Sequence, residues 1–170
     1  MKGHVIISHG LQSSPEATKA TAIAAVARSL GFSVDIPDYR DIDALSELGD
    51  VLARIERLRS ATLGHQRLIL AGSSMGAFIS ARVSLAVDVS GLFLMSPPTQ
   101  LKGYDIQLEA ASVPTRIVHG WHDELIPANE VVRWAQARSD QLVMVDDSHR
   151  LASHVEFCAE EFGRFVQALA

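Results

Sequence analysis

Cysteine is nearly missing from this sequence. Cys158 is the only one in 170 residues, so an intrachain disulfide is impossible and a thiolate metal cluster is excluded. Its helical spacing with Leu151, Val155 and Phe162 gives it the role of a small buried hydrophobe. Basic charge is also short: 15 Lys and Arg against 20 Asp and Glu leave a net −5, and no Lys/Arg block carries interleaved aromatics. Nucleic acid is therefore not an expected partner. No apolar run approaches a membrane span, and Val5, Ile6 and Ile7 are too few for the core of a signal peptide. No membrane partner and a cytoplasmic location are the expectations. Neither G-x-x-x-x-G-K-[ST] nor G-x-G-x-x-G occurs, which removes the common nucleotide-binding readings. Repeats, low-complexity tracts and linkers are absent too. What remains, with 48% hydrophobic residues, suits one domain over residues 1–170, with helices on both faces of a sheet and no room for a second domain or large lid.

Along the chain, short apolar runs alternate with helical patterns. Strands are expected at His4 to Ser8, Phe32 to Ile36, Leu68 to Ala71, Leu92 to Met95, Thr115 to Val118 and Leu142 to Val145. A helix capped by Ser14, with Pro15 in its first turn, should run to Leu30-Gly31. Ile42, Leu45, Leu48, Leu52, Ile55 and Leu58 step at helical intervals, predicting one amphipathic helix from Asp41 to Thr62 with Arg54, Glu56, Arg57 and Arg59 turned largely to water. Further helices are expected at Ala77 to Val87, at Ala128 to Arg138 and from about Leu151 onward. Six strands with long crossovers imply a three-layer α/β/α sandwich with a mostly parallel sheet.

The centre of this pattern is Gly72-Ser73-Ser74-Met75-Gly76, a strand, a tight turn and a helix in immediate succession. Such a turn strains its central residue and needs glycine on both sides of it. It presents the Ser74 hydroxyl at the carboxyl edge of the sheet, beside the Met75 amide at a helix N-terminus. A serine so placed can attack a carbonyl, and that amide can hold the resulting oxyanion. Asp123 and His149 follow the fifth and sixth strands, so the reactive groups gather where open α/β sheets collect function.

The chain order Ser, Asp, His, together with four loops, resembles a small bacterial esterase-like α/β-hydrolase without a cap. G-S-S-M-G is similar to the family's nucleophile elbow, H-G-L after the first strand to its oxyanion loop, H-G-W-H-D-E-L-I-P to its acid loop and D-D-S-H to its histidine loop. The resemblance implies strand order 2-1-3-4-5-6, a start at the family's third strand, and no insertion to cover the site. It also implies Ser74 as nucleophile, His149 as general base, Asp123 as its acid partner, and the backbone N–H groups of Leu11 and Met75 as the oxyanion hole. Ser73, Glu124, Asp146, Asp147 and His154 are the rivals, with His119 and His122 in the acid loop and His9 suited to shaping the oxyanion loop. His9, Tyr39, Arg40 and Trp121 are candidate substrate contacts, each with packing as the competing role.

The expected substrate is a carboxylic ester or thioester with a small or exposed acyl group, with no cofactor. The alternative is a binding protein on the same scaffold without useful turnover. A metal-dependent hydrolase built on His119, His122, Asp123 and His149 matches no ligand spacing. His4 and His65 have no partner in the sequence.

Overall fold

The computed structural model describes residues 2–169. Its strands are β1 (His4–Ser8), β2 (Ser33–Asp35), β3 (Leu68–Ser73), β4 (Gly91–Met95), β5 (Thr115–Gly120) and β6 (Gln141–Val145). They form one open sheet in the order β2-β1-β3-β4-β5-β6, and every neighbouring pair is parallel. This is the order that the family resemblance implied. Parallel pairing requires crossovers. They carry α1 (Thr18–Ser29), α2 (Arg40–Asp43), α3 (Val51–Ala61), α4 (Met75–Ser84) and α5 (Ala128–Arg138), and α6 (Val155–Ala168) follows β6 through a 3-10 turn at Ala152–His154.

The central strands are largely apolar because both faces are covered, while the edge strands β2 and β6 are only partly buried. Val5, Ile7, Ile69, Ala71, Phe93, Met95 and Val118 meet Ile23, Ala24 and Ala27 of α1 and Phe162 and Phe165 of α6. Ile6, Leu68, Leu70, Leu92, Leu94 and Ile117 point the other way, onto Leu58 of α3, Phe78 and Ile79 of α4, and Val131 and Ala135 of α5. Phe93 meets Phe162 edge-on with ring centroids 5.3 Å apart, and truncating such a buried ring costs about 3–5 kcal/mol. Cys158 is fully buried, and burial pushes its thiol up to about 11, as expected of a packing thiol. No helix among the described residues is long and apolar enough to cross a membrane.

Two helices depart from the sequence expectation. Ser14 does not cap α1; its carbonyl accepts from the Ala17 N–H in a turn, and the helix begins at Thr18 with no side-chain cap. The helix expected over 41–62 is two helices. Gly49 has φ +74°, a left-handed geometry that an α-helix cannot carry, and Asp50 starts α3 afresh by accepting from the Ala53 N–H at 3.0 Å. The break resets the helical phase. Leu45 and Leu52, expected in the core, are 85% and 61% exposed, whereas Arg54, expected in water, is 0% exposed.

Candidate active site

At the end of β3 the chain turns through Ser74 with φ 54° and ψ −120° and enters α4 at Met75, two residues earlier than expected. A Cβ on Gly72 would lie 2.3 Å from the Gly76 carbonyl, and one on Gly76 would lie 2.0 Å from the Ser8 oxygen. No side chain fits at either position, which is the physical content of the G-x-S-x-G pattern. Ser74 N–H donates to the Met95 carbonyl at 2.9 Å, and the Ser74 carbonyl accepts from Phe78 N–H at 3.0 Å. The surrounding backbone thereby holds a conformation that costs about 1–3 kcal/mol.

Ser74 Oγ lies 2.9 Å from His149 Nε2, and His149 Nδ1 lies 2.8 Å from Asp123 Oδ2. With Nδ1–H donated to the carboxylate, Nε2 keeps the lone pair that the hydroxyl proton needs. The Asp123 side chain is 0% exposed and that of His149 is 11% exposed. Burial alone would raise the Asp123 carboxyl, but hydrogen bonds from His149 and from the Ile126 and Leu125 amides outweigh it and hold the carboxyl below its ordinary value. The histidine loop is anchored at its backbone. Ser96 Oγ–H donates to the His149 carbonyl at 2.8 Å, and the His149 N–H donates to the Glu124 carboxylate at 3.1 Å.

The rivals have other partners. Glu124 meets the His149 backbone and not its ring, Asp147 pairs with His154 at 2.8 Å, and Asp146 pairs with His122 at 3.0 Å on the exposed rim. His119 is buried, with Nε2 directed at the Ile126 carbonyl 3.0 Å away. Of the four groups of the metal reading, His122 is turned away to the rim, whereas His119 Nε2 and His149 Nδ1 lie 3.5 and 2.8 Å from Asp123 Oδ2. At the opposite end of the sheet His4, Asp35 and His65 cluster, but the two imidazoles stack at 3.6 Å and 6°. Stacked so, their in-plane lone pairs lie in parallel planes and do not meet at one point.

Across Ser74 from His149, the loop after β1 is held from beneath. Arg54 Nη1 donates to the His9 carbonyl at 2.8 Å and Nη2 to the Gly10 carbonyl at 3.0 Å. Nε and Nη2 also donate to the two Asp43 carboxylate oxygens at 2.8 and 2.6 Å, and Asp43 accepts from the Gln12 N–H at 3.3 Å. The guanidinium stacks 4.5 Å from the centre of the Tyr39 ring. The N–H groups of Leu11 and Met75 have no intramolecular acceptor among the described residues, and both side chains converge on Gly49, where a Cβ would meet Leu11 at 2.7 Å and Met75 at 3.2 Å.

Two candidate substrate contacts are corrected by burial. His9 is 2% exposed, with Nε2 accepting from Tyr39 N–H at 3.0 Å and Nδ1 directed at the Gly10 carbonyl 2.8 Å away. Tyr39 is fully buried, its hydroxyl 2.9 Å from Ser8 Oγ. Both shape the loop and neither has surface to offer a ligand. Arg40 is exposed and held by Asp38 through two nitrogens, at the side of a cleft of about 530 Å³ that Gln12, Ser13 and Asp43 also line. Trp121 is exposed on the acid loop. The residues beneath the site that sequence reasoning missed are Arg54 and Asp43. Their signal was Gly49-Asp50 as a helix break and start, after which Val51, Arg54 and Leu58 fall on one buried stripe.

The chain is similar over 98% of its length, and over 99% of the other chain, to the crystal structure of a candidate hydrolase of the alpha/beta superfamily from Xanthomonas campestris pv. campestris, at 48% identity and TM-score 0.92. An alpha-beta serine hydrolase homologue from Coxiella burnetii is matched at 23% identity and TM-score 0.72, over 96% of this chain and 85% of that one. A serine hydrolase without a lid from Xanthomonas campestris is matched at 23% identity and TM-score 0.70, over 96% and 81%. At 23% identity the likeness is one of fold. No protein-family model and no curated protein matches the chain.

Proposed function

The chain belongs to the alpha/beta-hydrolase superfamily, and from that premise we propose that it is a serine hydrolase that cleaves a carboxylic ester or thioester through an acyl-enzyme on Ser74. One observation carries the reading: the continuous line from Ser74 Oγ to His149 Nε2 and from His149 Nδ1 to Asp123, at 2.9 and 2.8 Å. A serine hydroxyl is a weak nucleophile at neutral pH, so a base must take its proton as the new bond forms.

In the reaction, Ser74 Oγ attacks the acyl carbonyl carbon while His149 Nε2 receives the hydroxyl proton. The imidazolium is stabilised by the Asp123 carboxylate, which keeps its charge and does not itself take the proton. The carbonyl oxygen becomes an oxyanion facing the free N–H groups of Leu11 and Met75, each such donor being worth roughly 3–4 kcal/mol in the transition state. His149 then returns the proton to the departing alcohol or thiol, and the acyl group stays on Ser74. Water, deprotonated by the same imidazole, attacks the acyl-serine and regenerates the hydroxyl. Trp121 and Leu125 of the acid loop are exposed, which favours acyl groups that need no enclosing pocket.

The test is covalent labelling by a fluorophosphonate probe, followed by turnover of short p-nitrophenyl esters and acyl-CoA thioesters. Wild-type protein should be labelled at Ser74 and turn over, and Ser74→Ala should lose the label and about 10⁶-fold in kcat, as a comparable nucleophile deletion does. Equal labelling of the two proteins refutes the nucleophile. Labelling without turnover of any ester or thioester refutes the substrate class.

A further inference from the structure

We propose that Arg54 is a positioning residue of the proposed reaction: by holding the Gly10 carbonyl it sets the direction of the Leu11 N–H, one donor of the oxyanion hole. The inference rests on the hydrolase reading for its kinetics but on peptide geometry for its mechanism. A trans peptide is planar, and its C=O and N–H point in opposite directions; the described chain has no cis bond. The Gly10 oxygen and the Leu11 nitrogen belong to one such plane. Whatever fixes the oxygen therefore fixes the N–H, in the reverse direction.

The Gly10 oxygen is held by three groups: Arg54 Nη2 at 3.0 Å, His9 Nδ1 at 2.8 Å and Ser13 N–H at 3.2 Å. Arg54 Nη1 fixes the preceding peptide through the His9 oxygen, and Asp43 fixes the one after Leu11 through Gln12 N–H. Three successive peptide planes are thus tied to one buried ion pair. Both carbonyls turn inward to the guanidinium, so the Leu11 N–H turns outward. On the other side of the loop, the nearest atoms to a Cβ built on Gly10 are the Ser73 oxygen and Ser74 Cβ, at 3.5 and 3.6 Å.

Arginine suits this task because its planar fork reaches two carbonyls and a carboxylate at once, whereas the compact ammonium of lysine cannot.

The experiment compares wild type, Arg54→Lys and Asp43→Asn for p-nitrophenyl acetate turnover, for inhibition by a short trifluoromethyl ketone, and for near-UV circular dichroism as a check on folding. Arg54→Lys should lower kcat about 10- to 100-fold with KM within about twofold, since the full loss of one oxyanion donor costs about 10²–10³. Its affinity for the ketone, whose adduct carries an oxyanion, should fall by the same factor as kcat/KM. Should Arg54→Lys fail to fold, Asp43→Asn carries the test with a smaller loss in the same pattern. A folded variant with wild-type kcat refutes the proposal, as does a KM rise at constant kcat or a kcat loss with unchanged ketone inhibition. A crystal structure of Arg54→Lys separates this failure from that of the hydrolase reading: an unmoved peptide between residues 10 and 11 refutes the clamp even if no ester is cleaved, and a rotated one supports it.

Discussion

On one flank of Ser74, at the ends of β5 and β6, the decisive contacts run between titratable side chains, Asp123 to His149 to the hydroxyl. On the other flank, beyond β1, they run from a guanidinium to backbone carbonyls. In the proposed reaction the first flank passes a proton in every cycle, so it needs groups that can change charge and an imidazole near solvent. The second, in the same proposal, holds still while charge appears beside it, and it is built on a guanidinium buried in a pair with Asp43. Proton transfer and charge stabilisation thus call for opposite materials on either side of one serine. The desolvation cost of the buried pair is the price of that rigidity, since such pairs add little net stability over an apolar substitute.

The sharpest way to break the comparison is to damage each flank by a small change and see which quantity moves. Asp123→Asn leaves a side chain of the same shape but gives His149 the wrong tautomer; kcat should fall about 10⁴-fold, while the urea midpoint moves far less than for a clamp variant. Asp43→Ala strands the Arg54 charge in the core and should cost about 3–5 kcal/mol of stability in urea unfolding. If Asp123→Asn proves the less stable of the two, the division into a relay and a scaffold is wrong.

A smaller effect follows from pH. Burial lowers the pKa of His9, under the rigid flank, and of His119, under the relay. The unfolded chain therefore takes up protons below about 6.5 that the folded chain refuses. Stability should be flat above that pH and fall as pH drops through it toward the folded values. Asp123 acts in the opposite sense: its lowered carboxyl adds stability above its ordinary value of 3.8, lost only as pH falls through the folded value. Thermal unfolding from pH 7.5 to 5 should show the histidine slope, to which buried His4 also contributes, and His9→Gln should make it shallower. An unchanged slope in that variant removes His9 from the account.

Much of the relay flank was legible in the sequence because local rules write it. Gly72 is required by contacts within the five-residue turn and Gly76 by the close approach of Ser8 at the end of β1, and parallel strands deliver Ser74, Asp123 and His149 to the same edge whatever the loops do. The scaffold flank was obscured by one residue. Leucines at 45, 48 and 52 continue a helical period across Gly49, and a period extrapolated through a break assigns the wrong face to everything beyond it. Arg54 was placed in water for that reason. Tyr39 and His9 were read as possible ligand contacts because a polar group after a strand looks the same whether it faces a substrate or closes a loop.

By itself the sequence determined the order of strands and helices, the strained serine turn and the chain order of the reactive groups, since each depends on spacing and on steric limits among near neighbours. Only the tertiary structure decided that Arg54 lies under the loop of His9 and Gly10, that Asp43 is its partner, and that the rival carboxylates face elsewhere. Those outcomes depend on which side of a helix meets the sheet and on hydrogen bonds between residues far apart in the chain, and no local pattern encodes them.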